Sequence, residues 1–416
     1  MKDVIIRKFY YWIQLILWVF ICLSWSPGLL GQNEILIVFA LSGFWSIINR
    51  SWIHFTVDSG RRFLFLMIFP LYFFFREGFT GDPQRAIQFL VLSFACYYVM
   101  VSGFQKYKPD HIVIAFNCLL IIVVSSSVIT YFAYGVSFAQ KSPLLEFPIR
   151  NYDANCRVYF PFTVIYQQEY SIGGNAGIAR CIGIFREPGI YQAVLNTGIV
   201  SLAFVRNKTF RVLSVIILIA GVFSTMSTAG LAGLIISLVV YSLIRNAKLS
   251  LIALPLAMIA AYFFGLFDLI MNAESVGISS KLSDASGADR VTAIQQFILY
   301  WGDAGFWGIT NEVGLSHITS LTGTLPLFYL KLGIVGIITS LLQIFAYWKG
   351  SHVSRYFLIS IPIFISAITS QPLWASNISS FFYCLGWLLA YCNGSNQQRE
   401  SNFNLDDKIT LTGKGR

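Results

Sequence analysis

The chain has 416 residues, 56% of them hydrophobic and only 12% charged, with a mean hydropathy of +0.67. Soluble domains carry about 25% charged residues, so this composition excludes an ordinary soluble enzyme. The net charge of +10 does not mark a nucleic-acid binder either: no basic block is interleaved with aromatics, and the cations fall in every second loop between long apolar runs.

Those loops carry Arg50, Arg61 and Arg62; Lys106 and Lys108; Arg206, Lys208 and Arg211; Arg245 and Lys248; Lys349 and Arg355. The alternation is the positive-inside pattern of a polytopic membrane protein. The segments it assigns inside hold 19 Lys and Arg against 6 Asp and Glu, and those it assigns outside hold 10 against 13.

In chain order, Met1–Lys8 is basic and leads into an apolar stretch with no small-x-small cleavage site, so the first helix is expected to stay as a signal anchor. A span takes ~20 apolar residues, fewer where flanking side chains snorkel. The runs predict helices at 9–26, 34–49, 63–76, 86–104, 111–133, 188–205, 211–227, 229–244, 249–267, 324–347, 356–371 and 374–392. The expected fold class is therefore an all-α polytopic membrane protein with about 12 transmembrane helices and both termini inside. Helices 1–5 occupy 1–133, helices 6–9 occupy 188–267, helices 10–12 occupy 324–392, and a polar tail fills 393–416. Ser224, Thr225, Ser227, Thr228 and Gly230 permit a tight outer turn between helices seven and eight.

Two long outer loops remain, 134–187 and 268–323, far longer than ordinary helix connections. Both are rich in aromatics, among them Tyr159, Phe160 and Phe162 in the first and Phe297, Trp301, Phe306 and Trp307 in the second. Residues 287–301 read as an amphipathic helix with Val291, Ile294, Phe297, Ile298 and Trp301 on one face, Ser286 as N-cap and Gly302 just past its end. Such a helix lies along the outer membrane surface or packs on its own loop. Cys156 and Cys181 share the first loop, where a disulfide is chemically allowed but not required. The other cysteines fall in or beside apolar runs, as packing residues do.

Three constellations could carry chemistry. Arg180, Gly183, Arg186, Glu187, Pro188 and Gly189 run into the sixth span, with Pro188 suited to the first helical position and Glu187 to the cap. Helix N–H groups and paired guanidinium groups make an anion site there, although either Arg alone also fits a lipid headgroup. Asp289-Arg290 opens the amphipathic helix, where an Arg opposes the macrodipole; an external anion would favour it, and neutralisation by Asp289 alone would serve equally. His317 is the only histidine in an outer segment and is suited to act as a base. There is no Walker loop, no Gly-x-Ser-x-Gly elbow and no metal-ligand spacing, so neither metal nor cofactor is expected.

The ordered motifs resemble the Wzy-type O-antigen polymerases, relatives of the O-antigen ligases. The resemblance rests on Arg180-x-x-Gly183-x-Phe185-x-Glu187-Pro188, on Asp289-Arg290 followed by Ile294, Trp301 and Gly305–Gly308, and on His317 followed by Leu332-Gly333-Ile334-Val335-Gly336. Some polymerases have Arg-x10-Gly in both loops; here Arg186 and Arg290 precede Gly198 and Gly302 by one residue more. The resemblance implies a C-type glycosyltransferase-like architecture in the bacterial inner membrane, with both long loops periplasmic. It implies polymerisation of undecaprenyl-pyrophosphate-linked oligosaccharide repeat units without metal or cofactor. Arg180, Arg186 and Arg290 would hold the pyrophosphate, and Glu187 or His317 would take the hydroxyl proton. Membrane lipids, a chain-length regulator and a flippase are the implied partners, with no nucleic acid. The rivals are a ligase using the same donor and a lipid-linked glycan transporter; the latter needs polar residues lining the inner spans.

Overall fold

In the computed structural model the described residues are 9–17, 57–80, 83–104, 107–135, 141–148, 155–170, 178–185, 187–225, 227–245, 285–310, 325–349, 352–369 and 382–386, with 19 and 389. They form a mostly helical protein: α1 (Val57–Thr80), α2 (Pro83–Phe104), α3 (Pro109–Tyr134), α4 (Pro188–Leu202), α5 (Lys208–Ser224), α6 (Thr228–Arg245), α7 (Ala285–Ala304), α8 (Leu325–Leu342) and α9 (Ile361–Thr369). Two are long and apolar enough to cross a membrane, α3 and α8 with its 3-10 continuation to Tyr347. At 1.5 Å per residue they measure roughly 39 and 34 Å, against ~30 Å of hydrocarbon. The expected spans at 34–49 and 249–267 lie outside the described residues, as do the tail, most of the last span and the second part of the first.

Local chemistry explains the helix ends. Pro109 and Pro188 occupy first-turn positions, where the missing N–H costs nothing. Asn207 caps α5 by accepting from the Phe210 N–H at 3.0 Å. The tight turn between α5 and α6 falls where the polar run predicts it, after Ser224.

The packing is inverted relative to a soluble protein. Ile122, Ile129 and Phe132 of α3 and Leu213, Ile216 and Phe223 of α5 are exposed, while every residue of α4 is buried. Apolar surface of that extent suits a lipid surround. The helix α4 sits against α3, α5, α6 and α9. Its buried face is partly polar: Asn196 Nδ2 donates to Gln192 Oε1 at 3.0 Å and to the Gly230 carbonyl at 3.2 Å, and Gln192 Nε2 donates to Ser366 Oγ of α9 at 3.3 Å. Asn117 of α3 donates to Ser201 Oγ at 2.9 Å. Several polar side chains thus lie in the bundle centre.

The basic loops gather at one end. Arg206 approaches Asp110 at 3.4 Å, Arg211 and Arg245 donate to the Val205 and Ala203 carbonyls, and Phe204 stacks on Tyr356. Gln343 donates to the Leu66 carbonyl at 2.8 Å, which ties α1 to the segment that follows α8.

The first long loop corrects the all-α expectation. It contains a four-stranded antiparallel meander, β1 (Leu145–Pro148), β2 (Asn155–Tyr159), β3 (Thr163–Tyr170) and β4 (Ile178–Cys181). Cys156 pairs with Tyr166 and Tyr166 with Arg180, whereas Cys181 pairs with Ile165. Side chains alternate between faces. Ile165 and Cys181 join the bundle core, and Cys156, Val164 and Ile182 form a small cluster of their own. The two cysteines thus fall on opposite faces of the sheet, and both are free thiols.

The helices meet closely at glycines. A Cβ on Gly221 would stand 2.5 Å from Val124, and one on Gly198 would stand 2.7 Å from Leu120. Gly221→Val should therefore overpack the α3–α5 contact and cost about 1–3 kcal/mol, read as a lower thermal midpoint of the detergent-solubilised protein.

Candidate functional site

The C-terminal end of α3, the α5–α6 turn, β4 and the start of α4 meet in one cluster. Tyr131 donates its hydroxyl to the Ala179 carbonyl at 2.5 Å and lies 3.4 Å from the Ser224 carbonyl. Arg180, half-buried on β4, donates Nε to the Thr225 carbonyl at 3.3 Å. The guanidinium is therefore tied to the α5–α6 turn, and its planar fork gives it further donors.

The turn between Cys181 and Pro188 depends on Gly183. Its φ is +59°, a backbone that L side chains resist, and a Cβ there would lie 2.8 Å from the Tyr191 ring and 2.9 Å from Val123. Phe185 is fully buried and stacks on Tyr191 at 5.8 Å. The glycine and phenylalanine of the sequence motif thus have packing roles that lock β4 onto α4. Glu187 is the N-cap residue of α4, as the sequence predicts, in an extended conformation with no side-chain capping bond. Its carbonyl accepts from Ile190 and Tyr191. A helix N-terminus is in general a favourable place for an anion.

Of the five expected site residues, Arg180 and Glu187 belong to this cluster. Arg290 lies in α7, but its side chain is outside the described residues, and so are Arg186 and His317. Among the described residues no group of three or more His, Cys, Asp or Glu could hold a metal ion.

The helix α7 runs past both predicted ends. Ser286 lies inside it rather than capping it, and the chain turns away at Gly305 (φ +52°) rather than at Gly302. The buried face of α7 is Ala293, Gln296 and Ala304, with Phe297 and Tyr300 partly covered, whereas Ile294, Ile298 and Trp301 are exposed. The small residues permit close packing on α8, which leaves the large apolar residues facing outward.

Beyond α7, residues 305–309 form an elbow docked into a break in α8. Gly333 has φ +65° and ψ −170°, so the helix is interrupted there. The elbow fills the break: the Ile309 N–H donates to the Leu330 carbonyl at 2.8 Å, and the Val335 N–H donates to the Phe306 carbonyl at 3.2 Å. A Cβ on Gly308 would stand 2.5 Å from the Lys331 carbonyl, so only glycine lets the two backbones approach this closely. Tyr72 donates to the Leu332 carbonyl at 2.5 Å.

Sequence reasoning missed the residue that fastens this junction. Arg76, at the far end of α1, is 5% exposed. Its Nε donates to the Trp307 carbonyl at 3.4 Å, its Nη2 donates to the Ile309 carbonyl, and its Nη1 pairs with Glu77 at 2.9 Å. The available signal was an Arg-Glu pair closing an apolar run, which reads equally well as a span boundary.

No family model, curated protein or solved structure matches the chain. Its functional reading therefore rests on its own residues.

Two expectations follow. Arg76→Met should leave two carbonyls and Glu77 without their donor, costing about 3–5 kcal/mol, and should expose 305–309 to limited proteolysis, detected by mass spectrometry of the fragments. Burial pushes the Cys156 thiol up to about 11 and raises that of Cys181 as well. Burial thus disfavours the reactive thiolate at both and covers both sulfurs. A maleimide should therefore modify both only after denaturation, as read by intact-mass shift.

Proposed function

We propose that the chain is a Wzy-type glycosyltransferase of the bacterial inner membrane. It polymerises undecaprenyl-pyrophosphate-linked oligosaccharide repeat units into O-antigen or a related surface polysaccharide at the periplasmic face. The observation that carries this reading is the cluster at the end of the bundle opposite the basic loops, where Arg180 is fixed to the α5–α6 turn and β4 leads through Gly183 to the N-terminus of α4. A donor with a diphosphate leaving group needs such an anion-binding surface and no energy input from ATP.

The chemistry is a substitution at the anomeric carbon. A hydroxyl of one lipid-linked repeat unit attacks that carbon on another. The new C–O bond forms as the bond to pyrophosphate breaks, and the electron pair leaves with the pyrophosphate lipid. The hydroxyl proton passes to Glu187 or His317. Arg180, Arg186 and Arg290 hold the negative charge that grows on the leaving group. Aromatic side chains of both loops stack on the sugars.

A second reading has one observation in its favour. The buried polar groups of α4, with Asn117 and Ser366, are the kind of lining a lipid-linked glycan transporter requires. They are bonded mainly to one another, which suits a packed core better than a path. A ligase differs only in its acceptor, the lipid A-core.

A deletion strain complemented with wild type or Arg290→Lys separates these. On a polysaccharide gel, wild type should restore the ladder. Arg290→Lys should stop at a single capped repeat, because it keeps the charge and loses the bidentate fork. A near-normal ladder from that variant removes Arg290 from the site. Loss of every repeat in the deletion strain points to the ligase or the transporter.

A further inference from the structure

Both long loops send an aromatic tip back along a helix that is long enough to cross a membrane. In the first loop the β2–β3 turn folds down on α3. Thr130 donates to the Phe160 carbonyl at 3.1 Å and meets Thr163 Oγ1 at 2.5 Å, and Ser126 donates to the Pro161 carbonyl. Thr130 and Ser126 stand four and eight residues before the last residue of α3, Tyr134. That places the contacts roughly 6–12 Å below the helix end.

The elbow of the second loop does the same on α8. Its bonds are to Leu330 and Val335, five and ten residues beyond the first residue, Leu325. They lie roughly 8–15 Å below that end. The two tips therefore reach similar depths on two different helices.

Each tip shows large apolar side chains outward. Phe160 and Phe162 are 59% and 81% exposed, and Phe306 and Trp307 are 70% and 58% exposed. Each patch continues onto the outward face of its helix, through Ile122, Ile129 and Phe132 on α3 and through Ile334, Ile338 and Leu341 on α8. Ile294, Ile298, Leu299 and Trp301 of α7 extend the second patch, while Lys208 is exposed among the basic residues at the start of α5.

The backbone is prepared for this depth. Irregular backbone survives in hydrocarbon only where its polar groups are bonded to protein. Here Ser126, Thr130 and Arg76 supply donors to carbonyls of the two tips. A turn in water needs no such donors.

We infer that the β2–β3 turn and the 305–309 elbow are re-entrant tips whose aromatic side chains lie in the acyl region of the outer leaflet. Their partner is the lipid surface. The inference stands apart from the glycan chemistry, since it needs only the depth and exposure of the tips.

The test is spin-label accessibility in the full chain, reconstituted in vesicles of phosphatidylethanolamine and phosphatidylglycerol. Nitroxide is placed at Phe162→Cys and Trp307→Cys, with Lys208→Cys as the water-facing comparison and the wild type labelled in parallel as background. At 162 and 307, collisions with oxygen should exceed those with a water-soluble nickel chelate several-fold, and at 208 the order should reverse. Phe160→Cys and Phe306→Cys report the same two tips if either first variant fails to reconstitute. Nickel access at the tips equal to that at 208 would overturn the inference by putting them in water. Exclusion of both reagents would also overturn it, by showing that a second copy or another protein covers them.

Discussion

A backbone placed in hydrocarbon has no water to bond, so each of its N–H and C=O groups needs a partner within the protein. The helices meet that demand internally. The break at Gly333 does not, and its surroundings are organised around it: residues 305–309 exchange bonds with both halves of α8, Tyr72 takes the Leu332 carbonyl, and Arg76 holds the elbow's own carbonyls. A segment more than 200 positions away in sequence is thereby drawn onto α1, and α7 is fixed in place by the same junction. The glycines at 308 and 333 are what allow two backbones to meet at this distance.

The first loop is attached by a different device. One face of the meander joins the bundle core through Ile165, Ala179 and Cys181, and the turn after Gly183 carries the chain straight into α4. Arg180 is consequently held by the same cluster that orients the start of α4. Position rather than flexibility characterises this cation, as a binding site for a diphosphate would require.

Much of this was legible in the sequence. Apolar runs and loop charges mark the helices and the gathering of basic residues at one end, because hydrocarbon tolerates few alternatives. Proline at 109 and 188 marks two helix starts, and Glu187 is the cap its neighbours predict. The meander was not read, since strands of four to eight residues broken by Pro148 and Pro161 give a weak periodic signal. The break in α8 was read only as part of a glycine motif, because its cause lies in a distant loop. Arg76 looked like a boundary residue, since a charge closing an apolar run does not reveal whether it faces water or carbonyls. The candidate site divides in the same way: Arg180 and Glu187 follow from local chemistry, whereas the tie from Arg180 to Thr225 needed the fold.

The full burial of α4 has a consequence for how the chain is made. The amide of Gln192 ends on Ser366, which lies 174 residues further along. At 5–20 residues per second, that partner emerges from the ribosome roughly 9–35 s after Gln192 does. Throughout that interval α4 has polar side chains in a membrane and one wall of its enclosure still unsynthesised. Its neighbours α3, α5 and α6 must shelter it first, with the Gly230 carbonyl and the Ser201–Asn117 contact already available. The arrival of α9 closes that wall, so a part of the bundle translated late completes its centre rather than its edge.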